Sequence, residues 1–364
     1  MNSELKKQLH DLKSWLGGES LTVIPANIKT SAKRRIEESF KVKKNNLEKL
    51  ISTKSGLGRA YDVLTDAERE KFLMSPIVAY NLMYNWTRKD LFEINSWLHL
   101  FLTWLGKTKN TVHYSGGDFL GEKFYRQGKA FYSSPKSHGI VIDLKSANPG
   151  YKEEEEKVIV QKITDSLDFM KEHFAPYFEL VTLMIQTIQI SRPQKNHQYD
   201  MRSHYHTPGA AYLLNPYLGL EKEELAYGLV TQAFRIMLYY IEMCSPFTSD
   251  NDKMRETWTL CPWTNRMISG YALLHECLIR FGLINFLDVV TEYSDCEWAK
   301  MKLDETRNGF LFNRYLLVGI LNVEDKIDQD VVTLIRELHR IVLASEWKKN
   351  PAPLGSGDSS LSLS

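Results

Sequence analysis

The sequence predicts a mainly α protein with a small β-rich insert, an α+β fold of irregular multi-helix architecture. Three observations predict it. Long stretches repeat apolar residues at i, i+3, i+4 and i+7, the helical period. That period disappears between Gly106 and Gly150, where Gly116, Gly117, Gly121, Gly128, Pro135, Gly139 and Pro149 separate short extended runs. The chain is also long enough, at 364 residues with 43% hydrophobic content, to bury a large core.

Taken in order, residues 1–16 read as a short amphipathic helix ending at Gly17-Gly18. Residues 30–54 are strongly charged at helical spacing, as on a solvated helix. Thr65-Asp66-Ala67-Glu68 is a helix start, because a Thr or Asp cap precedes acidic residues in the first turn. Ser75-Pro76 opens another helix. From Asp90 to Leu105, Trp97, Leu98, Phe101, Trp104 and Leu105 share one apolar face. Within the insert, Gly139–Leu144 is the clearest extended run. Helix returns over Tyr151–Ser191 with an acidic block at its start, and Pro176 should split or kink it. Residues 192–209 read as a polar loop, Ala210–Leu214 as a short strand and Glu221–Met243 as a long helix. Helices are expected over Pro262–Phe281 and at about 283–303, 306–322 and 328–347. The resulting plan is an N-terminal helical segment, 1–58, and a main helical domain, 59–349, carrying the insert at 106–150. The tail, 350–364, lacks a core pattern and is expected to be disordered.

Composition narrows the function classes. Lys and Arg number 46 against 45 Asp and Glu, so nothing drives the chain globally toward nucleic acid or an anionic membrane. Four unevenly spaced cysteines do not build a disulfide scaffold. The first residues have no apolar secretory core, and no run reaches the ~18–20 apolar residues of a membrane span. A cytoplasmic, reduced protein is expected.

Candidate chemistry is sparse. His197, His204 and His206 form the tightest histidine cluster, and His204-x-His206 could present two imidazoles from one side of a strand. A third ligand is then needed. His275-Glu276 begins like a zinc-protease helix, but Ile279 stands where the second histidine belongs. Cys244, Cys261, Cys277 and Cys296 lack C-x-x-C spacing. The glycine loops at Ser55–Arg59 and Ser115–Asp118 have no Walker lysine and read as turns.

One stretch carries a resemblance. Tyr199–Ser203 is followed by His204–Gly209, the apolar run Ala210–Leu214, the acidic helix start Glu221–Glu224 and then Leu225–Arg235. Pro262–Arg266 and Ile268-Ser269-Gly270 come next. This order resembles the HExxH-motif peptide β-hydroxylases that tailor ribosomally made peptides, and residues 59–82 and 175–181 look similar to earlier parts of that family. The likeness spans roughly residues 59–285 and lies in pattern order.

In that family the helix after the strand carries His-Glu-x-x-His, its histidines bind iron, and 2-oxoglutarate is the co-substrate. The positions that align here are Thr231, Gln232, Ala233, Phe234 and Arg235, and a further family histidine corresponds to Ser269. Hydroxyls are poor iron ligands, Gln lacks the carboxylate charge and Arg has no lone pair to donate. At about 4 Å and an effective dielectric of about 20, each like unit-charge pair costs about 4 kcal/mol, and a dication facing Arg235 doubles that. No metal is therefore expected at these residues. Iron and 2-oxoglutarate return only if the degenerate reading of the motif fails.

The resemblance implies a peptide-binding or peptide-modifying protein of a ribosomal-peptide biosynthesis pathway, metal-independent or a catalytically inactive accessory. Its partners would be a precursor peptide or a partner modification enzyme. Arg202, Thr231, Gln232, Arg235, Arg266 and Ser269 are its candidate substrate-binding residues. The alternative is an enzyme with altered chemistry in the retained cavity, tailoring a peptide or a small molecule. His204, His206, His275 and Glu276 are then the candidate catalytic residues, with His204 and His206 also able to hold a relocated metal. A third class, a scaffold acting through residues 1–54, does not need the cavity.

Overall fold

The computed structural model describes residues 3–16, 23–50, 61–83, 98, 101–102, 105, 135–144, 151–192, 200–204, 207–216, 221–311 and 316–349. The fold is helix-dominated α+β. It divides into two units, residues 1–246 with 285–299, and residues 247–284 with 300–364. The helices inside the expected N-terminal segment, 1–58, fall within the first unit.

In the first unit, α1 (Ser3–Leu16) buries Leu5, Leu9, Leu12, Trp15 and Leu16, and α2 (Val23–Leu50) buries Ile28, Ala32, Ile36 and Phe40 at four-residue steps. Both are single apolar stripes on otherwise polar helices. Helix α3 (Asp66–Leu73) starts in a capping box, with the Thr65 main-chain N–H donating to Glu68 Oε2 at 2.7 Å and the Glu68 N–H to Thr65 Oγ1 at 3.4 Å. Helix α4 spans Pro76–Met83. Of the apolar helix expected over 90–105, only Leu98, Phe101 and Leu102 are described as helical, all buried; the rest lies outside the described residues or, at Leu105, in a turn. Most of the insert, and the whole tail, also lie outside them.

Strands β1 (Lys136–Ser137) and β2 (Ile140–Asp143) form a hairpin whose two-residue turn holds His138 and Gly139 at φ 50° and 85°. Helix α5 (Glu153–His173) carries four glutamates in its first turn, where they favour the helix dipole. Pro176 does break the pattern. The chain leaves helical geometry at Phe174 (φ −139°, ψ 49°) and restarts as α6 (Ala175–Met184) with the proline in its first turn.

Two expectations need correction here. The helix does not run on to Ser191, since β3 occupies Thr187–Ser191, and the 192–209 loop contains β4 (Asp200–Ser203). Thr-Ile-Gln-Ile-Ser alternates with period two, and that pattern is decided by sheet pairing rather than by the preceding helix. Strand β5 (Ala210–Leu214) stands as expected, and helix α7 (Lys222–Cys244) follows it. The sheet order is β1-β2-β3-β5-β4, with β2, β3 and β5 parallel and β1 and β4 antiparallel to their neighbours. Helix α7 packs on α2, α5, α6 and β4 and is buried nearly all round, as its apolar sequence requires. Trp15 meets Phe234 of α7 edge-on at 4.9 Å, which joins α1 to this core.

The second unit holds a short helix, α8 (Asn251–Glu256), and a hairpin of β6 (Trp258–Leu260) and β7 (Met267–Ser269). The helix expected from Pro262 begins instead at Gly270 as α9 (Gly270–Tyr293), of which residues 270–284 belong to this unit, because the residues around Pro262 turn between two paired strands. The helix expected over 283–303 is interrupted before α10 (Glu297–Leu311). The helix expected over 306–322 gives way to the end of α10 and a 3₁₀ helix (Val318–Lys326), while the helix expected over 328–347 stands as α11 (Gln329–Lys349). Among the described residues, no helix is long and apolar enough to cross a membrane.

Candidate functional site

Sheet register gives the first unit two unlike faces. Ile142, Ile188, Ile190, Ala211, Leu213 and Met201 occupy one face and are all buried. The other face mixes Val141, Ala210 and Leu214 with polar residues. Asp143 pairs with Gln189, Gln189 with Tyr212, and Tyr212 with Arg202, so these four stand in one row across β2, β3, β5 and β4. Neighbours in such a row lie about 4.8 Å apart. The row runs from Asp143, 3% exposed, through half-buried Gln189 and Tyr212 to exposed Arg202.

Polar contacts fix the outer end of the row. Arg202 Nε donates to Asp200 Oδ2 at 2.5 Å. The His204 ring meets Tyr212 edge-on at 5.1 Å. The Tyr212 and Thr207 hydroxyls lie 3.0 Å apart, and burial pushes the Tyr212 phenol up, with the Thr207 contact opposing it. Thr187 stands on the same face, fully buried, and its hydroxyl has no partner among the described residues. Asp143, Thr187, Gln189, Thr207 and Tyr212 are not singled out by the sequence patterns above. The alternation in Thr187–Ser191 is the signal that identifies two of them, once that segment is read as a strand.

The helix after β5 commits its polar residues to its own backbone, to one another and to β4. Thr231 Oγ1 donates to the Tyr227 carbonyl at 2.7 Å. Gln232 is 2% exposed, and its Nε2 donates to the Met201 carbonyl on β4 at 3.1 Å. Arg235 Nη1 donates to Gln232 Oε1 at 3.3 Å. This set does not fit an iron ion. One hydroxyl proton is committed to a main-chain carbonyl, both ends of the carboxamide are engaged, and a guanidinium offers only donors.

The remaining candidates belong to the second unit. Exposed Arg266 lies in the turn between β6 and β7, where its carbonyl accepts from the Cys261 N–H at 2.8 Å. Ser269 Oγ accepts from the Ala272 N–H at 3.2 Å and so caps the start of α9. His275 is buried between the rings of Tyr271, at 4.7 Å, and Phe247, at 5.8 Å. Glu276 accepts from Arg280 Nε at 3.0 Å, one turn along the helix. Burial holds the Cys277 thiol well above its ordinary value, which removes the thiolate a nucleophile requires.

Arg202, His204, Thr231, Gln232 and Arg235 thus lie in the first unit, and Arg266, Ser269, His275 and Glu276 in the second. His197 and His206 lie outside the described residues. Among the described residues, no three His, Cys, Asp or Glu side chains cluster as metal ligands would. Compared with known families and curated proteins, the chain matches no family model and no curated protein significantly.

Proposed function

We propose that the protein binds a peptide within a ribosomal-peptide modification pathway, as its sequence resemblance implies, and does so without iron on α7. The observation that carries this reading is the chain Arg235–Gln232–Met201. It spends the helix's polar groups on holding β4 in place. Strand β4 ends the described sheet, and such a strand can receive an extended peptide by main-chain pairing at groups other than the Met201 carbonyl, which Gln232 occupies. Arg202 on β4 supplies a cation for an acidic side chain or a terminal carboxylate. The role that follows is to hold a precursor peptide for a partner modification enzyme.

The test combines two measurements. Protein purified without a His-tag is incubated with Fe(II), or separately with Zn(II), desalted and assayed for metal. Binding of a short peptide encoded beside this gene is followed by fluorescence anisotropy. Substoichiometric metal, with peptide affinity lowered about ten-fold in Arg202→Glu, is the expected result. Stoichiometric metal that disappears in a His204→Ala, His206→Ala double variant would sink the proposal. The packing of His204 against Tyr212 beside Arg202 supports a second reading, an enzyme using these groups for acid–base tailoring. That reading requires a mass change in the peptide that is lost in His204→Ala.

A further inference from the structure

In the second unit, the 3₁₀ helix and α11 enclose a groove of about 310 Å³. Its floor is apolar and buried, formed by Leu316, Leu317 and Ile335. Its walls are apolar but wet: Val318 is 54% exposed, Leu321 52% and Leu343 37%. Surface leucines and valines are ordinary when scattered; lined along one groove they mark a contact surface. The charged side chains among its lining residues are basic. Arg336 and Arg340 line it four residues apart on α11 with His339 between them, and none of the described lining residues is acidic. His339 is buried with Nε2 2.8 Å from the Phe310 carbonyl, and Arg336 donates to Glu324 at 2.7 Å. Arg340 is exposed and has no partner among the described residues.

We propose that this groove docks an amphipathic helix of a partner protein, whose apolar stripe is flanked by carboxylates. A small-molecule site buries most of its ligand, and walls that stand half in solvent do not provide that enclosure. A helix lays apolar residues at i, i+3, i+4 and i+7 into an open groove and needs only one face covered. The arginines select for acidic flanks, Arg340 with its charge unpaired among the described residues and Arg336 by exchanging its Glu324 partner. They also argue against a second copy of this chain, because a two-fold contact through the groove would bring Arg336 and Arg340 of one copy against the same pair of the other. This inference concerns different residues from the β4 proposal and stands without it.

The test uses the full chain and two labelled synthetic helical peptides. One carries leucines at i, i+3, i+4 and i+7 with flanking glutamates; the other has every glutamate replaced by lysine. The acidic peptide should bind at least about ten-fold more tightly, and Leu321→Glu and Arg340→Glu should each weaken it about ten-fold. Both positions are exposed, so the folds should survive; thermal melts check this, and Arg340→Glu stands alone if Leu321→Glu does not fold. Equal binding of the two peptides, no binding of the acidic one, or an unchanged affinity in Arg340→Glu overturns the proposal. So does oleate binding without peptide binding, or a dimer in sedimentation that Leu321→Glu dissociates.

Discussion

Gln232 on α7 donates its carboxamide N–H to the main-chain carbonyl of Met201 on β4 at 3.1 Å, and the donor is 2% exposed. Replacing it tests how far the helix holds the last strand of the sheet. Gln232→Met keeps the volume and removes the donor, leaving a main-chain acceptor without that partner. The expected loss is about 1–3 kcal/mol in urea denaturation. Arg235→Met, which leaves the Gln232–Met201 bond in place, should cost less. Equal stability of Gln232→Met and the parent would show that Met201 finds another donor.

Gly309 lies under the Trp263 ring. A Cβ at this position would fall 2.1 Å from Trp263 Cδ1, while the indole N–H donates to the Thr306 carbonyl at 2.9 Å. Gly309→Ala must therefore displace the indole. About 1–3 kcal/mol of destabilisation is expected from the overpacking, read as a lowered urea midpoint together with a shift in tryptophan emission. A variant as stable as the parent, with unchanged emission, would contradict this placement.

Alkaline pH should unfold the protein through its buried phenols. Burial raises Tyr177 and Tyr240 well above the ordinary tyrosine value and Tyr61 to about 12. The unfolded chain loses these protons near pH 10, while the folded chain keeps them. Stability is thus unaffected below that value and falls as pH rises through the interval to the raised values. Tyrosinate absorbance should appear in two phases, the second coinciding with loss of circular dichroism.

Lys29 has the opposite sign. Its Nζ donates to the Leu183 carbonyl at 2.5 Å, and burial lowers its pKa, with Glu70 opposing the shift. Between that lowered value and the ordinary lysine value near 10.4, the unfolded chain holds a proton that the folded chain has released. In this window Lys29 makes stability rise with pH. Lys29→Met should abolish that contribution, so the parent gains on the variant as pH increases through the window. Parallel stability–pH curves for the two proteins would contradict the assignment.

Local signals identified much of the fold. The Thr65 cap, the glutamate-rich start of α5 and the break at Pro176 are all decided within a few residues. The errors share a cause. Thr187–Ser191 and Asp200–Ser203 are short, and a short segment becomes a strand only when a neighbouring strand takes its main-chain hydrogen bonds. The residues around Pro262 mislead in the same way, because the 258–260 and 267–269 strands pair across them. The site candidates followed this division. Arg202, Thr231, Gln232 and Arg235 could be named from residue order, but Asp143, Gln189 and Tyr212 could not.

The sequence by itself determined the helix-dominated class, the caps and breaks, and the residue types at 231–235. Each depends on local geometry or on the identity of a side chain. Tertiary structure alone decided that Gln232 meets Met201, 31 residues away. It also decided that Asp143, Gln189, Tyr212 and Arg202 stand in one row. The reason is that register is a relation between segments distant in the chain. Parallel pairing of β2, β3 and β5 depends on long crossovers and on the burial of one whole sheet face, and no window of neighbouring residues encodes either.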